Sequence, residues 1–311
     1  MKPYILSAAL LLSGAFLNAK TPIASEITPR GGWEKTDENT FGIQCKPDMQ
    51  GTASLELKAA VKPETFYVLE WEAKGVLTAN KGQAQFLLTL DRTVFPGFEV
   101  DRQWNLCRNY FYSGKKDSVI FSIYLRRSHK QELEIRNLKL LELSKQDCEK
   151  GFLFDFEKDT SIPAFWTRSW GQKKFAASIV KSDFINGDKS MKLVSDGTAE
   201  TSISSGVFPV IAGAKYKISF WAKGSANGSL LFIFNSNNQR LSGNQPPINL
   251  LRKHCAIETE WKEYSFETTY PTDLKKYPTA AIPMANIVFF SKIPEVLIDN
   301  IKVEPAITKQ E

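Results

Sequence analysis

The sequence predicts an all-β protein in which one module occurs twice. Residues 216–224, YKISFWAKG, alternate between apolar and polar side chains as a strand with one buried face does, and they stop at a glycine. Residues 67–75, YVLEWEAKG, are apolar in the same phase and end on the same Ala-Lys-Gly triplet. Phe, Tyr and Trp make up 12% of the chain, and turn clusters separate short runs rich in Val, Ile and Thr. We therefore expect two related β-modules and no long helix.

The N-terminus has the pattern of a secretory signal peptide. A lysine at position 2 is followed by a mostly apolar run over residues 4–17, with small residues near Ala19. The sequence has no second long apolar run, so we expect no membrane span. We interpret residues 1–19 as a signal peptide and expect an exported protein, periplasmic or extracellular.

Short predicted strands separated by turn residues continue through the rest of the chain. The first module extends over residues 25–143, and polar residues 144–150 form a predicted linker. The second module occupies residues 151–305. Many short strands with regular turns indicate a β-sandwich or a barrel, not alternating strands and helices.

The last predicted strand of each module changes its apolar phase at an asparagine. In residues 133–140 the apolar positions are odd-numbered before Asn137 and even-numbered after it. In residues 296–303 the even-numbered positions are apolar before Asn300, and the odd-numbered ones after it. A one-residue bulge at each asparagine would keep the apolar side chains on one face, so we predict two equivalent β-bulges.

Charge and motifs argue against several functions. The net charge of +6 falls to +5 without Lys2, and acids are interspersed among the cations, as on a solvated surface. We therefore expect no nucleic-acid partner. The sequence lacks a Gly-x-Ser-x-Gly, a His-Glu-x-x-His and a phosphate-binding glycine loop, and adjacent His254 and Cys255 would point to opposite faces of a strand. Hydrolysis of a glycan needs only two carboxylates, so it stays an alternative.

The cysteines are compatible with export but do not define a framework. Four of them, Cys45, Cys107, Cys148 and Cys255, follow the predicted signal peptide. Four cysteines in an exported chain allow three disulfide pairings, and the sequence does not select one. Their spacing matches no zinc site.

The second module resembles the carbohydrate-binding modules of the family 4 and 9 type, over residues 152–303. The motifs that carry the resemblance are Phe156-Glu157, Trp166, residues 190–193, 216–224, 261–264 and 298–301. The first module looks like a diverged copy, because it lacks the Phe-Glu opening and has Arg136 where the second has Asp299. The resemblance implies two tandem jelly-roll β-sandwiches of the galactose-binding-like class, and non-catalytic binding of a polysaccharide or another glycan.

Sugar rings need flat aromatic faces beside amide and charged hydrogen-bonding groups, and two loops of the second module supply them. The predicted ligand-binding residues are Trp166, Trp170 and Gln172 in one loop, Asn235, Asn237, Gln239 and Arg240 in the other, and Trp33 as the exposed candidate of the first module. Packing of Trp166 in the core and a simple turn at the asparagine-rich run are the alternatives.

The resemblance also implies one structural Ca²⁺ in the second module. Glu157 and Asp299 match the positions where the family carries carboxylates, and carboxylate oxygens suit calcium. Ordinary outward-facing acids are the alternative. We expect no ion in the first module, where Arg136 stands at the matching position.

The sequence as a whole therefore favours an exported glycan-binding protein that does not cleave its ligand. Two alternatives stay open. One is a structural or adhesive cell-surface sandwich pair without a sugar site. The other is an accessory protein, or an unrecognised member, of a glycoside hydrolase system.

Overall fold

The fold is almost entirely β, as the alternation of apolar and polar residues predicts. The computed structural model describes residues 22–23, 25–45, 52–77, 84–90, 93–94, 98–126, 131–157, 166–168, 176–197, 200–236, 248–272 and 283–306. Within these ranges all regular structure is strand, except for one short helix. The predicted signal peptide, residues 1–19, lies outside the described residues. No helix of the described part is long and apolar enough to cross a membrane.

Two antiparallel sheets form the N-terminal part. Sheet I has the order β1 (Ser25–Arg30), β4 (Thr52–Ala60), β10 (Ser118–Arg126), β6 (Ala84–Leu90) and β7 (Thr93–Val94), and β8 (Phe98–Val100) also pairs with β6. Sheet II has the order β2 (Glu34–Asp37), β3 (Thr40–Cys45), β11 (Gln131–Leu143), β5 (Phe66–Leu77) and β9 (Asn105–Tyr112). Their facing sides enclose one apolar core, in which Trp71, Phe111 and Phe121 are among the largest side chains.

Two further sheets form the C-terminal part. Sheet III has the order β14 (Ala176–Val180), β15 (Ser190–Val194), β23 (Glu295–Pro305), β18 (Lys215–Gly224) and β21 (Lys262–Thr269), and β12 (Phe152–Phe154) also pairs with β23. Sheet IV has the order β13 (Trp166–Arg168), β16 (Thr201–Ser205), β22 (Met284–Ser291), β19 (Gly228–Ser236) and β20 (Ile248–Ile257), and β17 (Phe208–Pro209) also pairs with β22. From β18 onward most successive strands alternate between the two sheets, which is typical of a jelly roll. A second apolar core lies between them.

The duplicated strands, β5 and β18, make matching contacts. The Gly75 N–H donates to the carbonyl oxygen of Asp101 at 2.7 Å, and the Gly224 N–H donates to that of Glu258 at 2.8 Å. Each acceptor lies three residues before a tryptophan, Trp104 or Trp261. The repeated Ala-Lys-Gly ending therefore serves the same contact in both modules.

The first tyrosine and the lysine of the repeat also have matching partners. The hydroxyl oxygens of Tyr67 and Tyr216 each accept a backbone N–H from the residue five positions earlier, at 2.7 Å in both modules. The lysine Nζ lies over the ring of the next tryptophan, 4.8 Å from the Trp104 centroid and 5.8 Å from that of Trp261. These contacts are the structural form of the sequence repeat.

The two predicted β-bulges are confirmed. The register of β11 on β5 shifts between Arg136 and Lys139, and the pairing of β23 with β18 shifts by one residue next to Asn300. Asn137 and Asn300 have positive φ values of 55° and 52°. The apolar residues on either side of Asn300 are fully buried, so the bulge keeps the whole strand facing the core.

The linker residues form a capped helix, α1 (Lys145–Glu149), which the polar sequence alone did not predict. The side chains of Ser144 and Asp147 form a capping box at its start. Beyond the helix the two modules are in contact. The ring centroids of Tyr110 and Phe152 lie 5.6 Å apart, edge to face. Met284 of β22 is buried in the core cluster of the first module. The junction is therefore packed with apolar side chains.

All four cysteines are buried, and no disulfide joins any two of them. Burial raises the pKa of the Cys255 thiol to about 11. In this structure the two cores hold together by packing, without a covalent link.

We predict that Asn300 is needed for the bulge because it tolerates the left-handed backbone conformation. Asn300→Val should lower the free energy of unfolding by at least about 1–2 kcal/mol, the cost of this conformation for a residue with a bulky Cβ. Asn300→Gly is the matched control, and it should unfold close to the natural protein. Urea unfolding at fixed pH measures both, and equal midpoints for the two variants would contradict this account.

Candidate functional site

The outer face of sheet IV, the face turned away from the core, carries the most distinctive set of side chains in the described structure. Along β22 the core-facing residues include Ile287 and Phe289, so Asn286, Val288 and Phe290 face outward. The same alternation applies to the neighbouring strands. Their outward residues are Leu231, Ile233 and Asn235 on β19, Ser202 and Ser204 on β16, and Arg252 and His254 on β20.

An apolar strip runs along the middle of this face. Leu231, Ile233 and Val288 form a cluster separate from the module core, with exposures of 6 to 8%, and the half-buried ring of Phe290 packs against it. Outward positions of an antiparallel sheet are normally polar when they face solvent, and these three side chains are buried although they point away from the core. Where a ligand reaches them, aliphatic side chains of this kind can pack against the C–H face of a sugar ring.

Polar groups flank the strip on both sides. One cross-strand row reads Ser204, Val288, Ile233 and Arg252, and the next reads Ser202, Phe290, Leu231 and His254. Serine hydroxyls therefore border the strip on the β16 side. A guanidinium and an imidazole border it on the β20 side, where both residues are exposed. The imidazole Nδ1 of His254 lies 3.3 Å from the hydroxyl of Ser229.

A pair of asparagines closes one end of the strip. Asn235 on β19 lies directly opposite Asn286 on β22, and each is 5% exposed. The amide oxygen Oδ1 of each is buried and has no hydrogen-bond partner in the structure. The Asn286 amide nitrogen donates to the Ser204 hydroxyl at 2.8 Å, which orients the side chain. A buried acceptor without a donor costs about 1–3 kcal/mol, so a ligand hydroxyl that reached these two oxygens would remove that cost.

The outer faces of sheets I and II differ from that of sheet IV in charge. Sheet II also has an outward apolar cluster, Val68, Leu141 and Leu143, but it lies beside Tyr110, whose ring contacts the second module. On sheet II, ion pairs cover the outer face, with Arg108 to Glu70 at 2.7 Å and Lys74 to Glu134 at 2.9 Å. On sheet I the corresponding strands carry Arg30 paired with Glu56 at 3.1 Å. These charges already have partners, so sheet IV is the better candidate for ligand binding.

Both tryptophans of the described part that were predicted to bind ligand are core residues, so those two predictions are wrong. Trp166 is 4% exposed, and its ring contacts those of Phe154 at 5.5 Å and Phe289 at 6.2 Å between centroids. Trp33 is 5% exposed in the first core. Gly31 and Gly32 precede it with φ values of 69° and 98°, a turn that only glycine adopts easily and that brings Trp33 inside.

Of the other predicted residues, the structure describes Asn235 alone and places it on the outer face of sheet IV. Trp170, Gln172, Asn237, Gln239 and Arg240 lie outside the described residues. Their role stays a prediction. In the sequence these residues follow β13 and β19, which both belong to sheet IV. The C-terminal ends of these two strands lie at opposite ends of the sheet.

The sequence analysis missed Asn286 and the apolar strip. A signal was present, because Asn286 interrupts the otherwise apolar run MANIVFF, and a polar residue inside such a run requires a partner or a function. The pairing of Asn286 with Asn235 depends on strand register, which the sequence pattern does not supply.

The predicted calcium ligands instead hold the segment between β14 and β15. The Glu157 carboxylate accepts the N–H groups of Asp188 at 3.0 Å and Lys189 at 3.2 Å. Asp299 is fully buried and accepts the N–H groups of Ile185 at 3.0 Å and Asn186 at 3.3 Å. Burial raises the pKa of both carboxyls, and the N–H donors oppose that rise.

The described residues do not complete a calcium site. A calcium ion in a protein is usually bound by six to eight oxygen atoms. Here both oxygens of each carboxylate already accept backbone N–H groups, since Oδ1 of Asp299 also accepts the Asn300 N–H at 2.6 Å. The described residues contain no group of three or more His, Cys, Asp or Glu side chains that could hold a metal. The Lys189 amine also lies within hydrogen-bond contact of the Glu157 carbonyl oxygen.

We predict that calcium does not stabilise the second module. At about 10 mM, ten times the Kd of a weak extracellular site, a bound ion would raise the free energy of unfolding by about 1.4 kcal/mol. The urea concentration at the unfolding midpoint should be the same in 10 mM CaCl₂ and in a chelator, which is the control, to within about 0.1 M urea. A rise with calcium that disappears in Asp299→Asn would show that the ion binds.

Comparisons with known proteins give likenesses in structure only. No protein-family model matches the chain, and no curated protein matches its sequence. The CBM22-1–CBM22-2 tandem domain of Xyn10C from Paenibacillus barcinonensis is 13% identical, with a TM-score of 0.38 over 93% of this chain and 100% of that one. The CBM22-2 xylan-binding domain of that protein is 15% identical over 50% of this chain and 99% of its own, with a TM-score of 0.37. A structure described as "CBM4 structure and function" is 16% identical over 50% of this chain and 87% of its own, with a TM-score of 0.30.

Proposed function

We propose that this protein binds a polysaccharide or another glycan on the outer face of sheet IV. The observation that carries the proposal is the pair of buried, unpartnered amide oxygens of Asn235 and Asn286 at the end of an apolar strip. A sugar presents an apolar C–H face and a rim of hydroxyl groups. The strip would contact the ring face, and the two oxygens would accept its hydroxyl protons.

Binding without cleavage follows from the composition of this sheet. The six strands of sheet IV contain no aspartate or glutamate. A glycosidase needs a pair of carboxyl groups, about 5 to 10 Å apart, beside the scissile bond. The strands that would hold the ligand therefore supply neither a general acid nor a nucleophile, which supports a binding protein over a hydrolase.

The more specific parts of the proposal rest on the sequence. Membership of the family 4 and 9 type of carbohydrate-binding module comes from the motif order in residues 152–303, and export comes from residues 1–19. Trp170, Gln172, Asn237, Gln239 and Arg240 follow strands of sheet IV in the sequence, and we propose that they extend the same site. A single site of this type should bind with a Kd in the millimolar to micromolar range, about −4 to −8 kcal/mol.

The packed junction affects how two modules could act. The apolar contacts at the junction, that of Tyr110 with Phe152 among them, would limit how far a site in each module could move relative to the other. Two linked sites can raise the overall affinity by about 10² to 10⁴ when both reach the same chain. The present proposal needs only the site on the second module.

Affinity electrophoresis against a panel of soluble polysaccharides, xylans included, tests the proposed site. Asn235→Ala and Asn286→Ala should each weaken binding about tenfold, because each removes one hydrogen bond worth about 1.4 kcal/mol in a buried setting. Asn39→Ala, an exposed asparagine in the turn between β2 and β3, is the matched control and should bind like the natural protein.

Thermal unfolding of each variant shows whether the sandwich is intact. If the Asn235→Ala, Asn286→Ala double variant folds and still binds the polysaccharide, the site does not lie on sheet IV. Retention of none of the polysaccharides by the natural protein would favour a structural or adhesive role.

A further inference from the structure

We infer that the ligand of the sheet IV face is an anionic glycan, one that carries uronate carboxylates or sulfate esters. The inference rests on the proposed function and specifies its ligand class. It comes from the charge distribution of the sheet. Cationic and hydrogen-bonding side chains border the apolar strip, and the strands of sheet IV contain no carboxylate.

The lack of acids on sheet IV contrasts with the rest of the second module. Sheet III, the partner sheet of the same sandwich, carries five acids on its strands: Glu263, Glu267, Glu295, Asp299 and Glu304. Sheet IV carries none, although its edge strand β20 reads INLLRKHCAI, with three basic side chains in a row. The face therefore has a positive edge with no acid on the same sheet to neutralise it.

The strand register places the positive charge beside the strip. Arg252 lies opposite Ile233, which in turn lies opposite Val288. Its exposed guanidinium is free to reach over the strip or along its border. Asn235, with its unpartnered amide oxygen, is two residues further along β19 on the same face. A sugar residue that packs on the strip would thus have a hydroxyl acceptor and a guanidinium beside it.

The chemistry of these groups favours an anion over a neutral sugar. A guanidinium presents parallel N–H donors that match a carboxylate or a sulfate in a bidentate arrangement, and such charge-assisted bonds are about twice as strong as neutral ones. His254, next along the outer face of β20, adds a ring nitrogen that can donate a hydrogen bond. A carboxylate in the site would repel this class of ligand, and sheet IV has none.

The face also distinguishes a glycan from other polyanions. Single-stranded nucleic acid is held by flat aromatic rings on which bases stack, beside a positively charged groove. The strip has aliphatic side chains and one half-buried phenylalanine. We therefore favour a glycan, and a nucleic acid is an outcome of the test.

The experiment compares acidic polysaccharides with their own neutral forms. The probes are polygalacturonate, alginate and glucuronoxylan, each beside its carboxyl-reduced derivative, together with chondroitin sulfate and a single-stranded oligonucleotide. The full natural chain should bind at least one acidic polymer about tenfold more tightly than the matching reduced polymer. Preference for a carboxyl polymer or for chondroitin sulfate identifies the anionic group.

Two single substitutions on β20 distinguish a specific contact made by Arg252 from non-specific attraction by the net charge. Arg252→Gln should remove the preference for the acidic form, a loss of about tenfold. Lys253→Gln changes the net charge equally but lies on the opposite face of β20, and it should bind like the natural protein. Both side chains are exposed, so both variants should fold.

The outcomes separate this inference from the proposed function. Equal binding of acidic and reduced polymers, with Arg252→Gln unchanged, would overturn the anionic ligand and leave sugar binding intact. Equal loss in Arg252→Gln and Lys253→Gln, or binding of the oligonucleotide as tight as that of any glycan, would mean non-specific attraction and would also overturn it. No binding of any polysaccharide, acidic or reduced, would remove the proposed function and this inference together.

Discussion

The last strand of each module must keep apolar side chains toward the core while it lies inside a sheet and pairs on both sides. Strand alternation alone would turn half of this strand to water. A one-residue bulge at Asn137 or Asn300, with the asparagine in a left-handed conformation, removes the conflict. Because β11 and β23 each pair with strands on both edges, the bulge sets the register of sheets II and III, and the core between each pair of sheets depends on it.

Once sheet III covers one side of the second core, sheet IV has a single face left for a ligand. Ion pairs lie on the outer faces of sheets I and II, and the outward apolar cluster of sheet II adjoins the module junction. Sheet IV has an apolar strip with serines on one border and Arg252 and His254 on the other. Two buried amide oxygens without donors stand at the end of the strip. A sugar-binding face would give these two oxygens a role, because ligand hydroxyls can donate to them.

The fold class could be predicted from patterns among residues that are close together in the sequence. Alternation, the Ala-Lys-Gly repeat and the asparagine phase change depend on neighbouring residues, so the all-β class and both bulges could be predicted. The site could not, because it depends on which strands lie side by side. Trp33 and Trp166 look exposed beside their polar neighbours, yet strand pairing and a glycine turn bury them. The pairing of Asn235 with Asn286 joins residues from two strands far apart in the chain, and no local pattern contains it.

The most direct test follows the asparagine side chains themselves during a titration. In ¹⁵N-labelled protein, the side-chain NH₂ signals of Asn235 and Asn286 report on the amide groups at the end of the strip. Addition of a glycan oligosaccharide that the protein retains should shift both signals, together with backbone amides of β19 and β22. Shifts confined to sheets I to III, with both asparagine signals unchanged at saturation, would contradict a binding face on sheet IV.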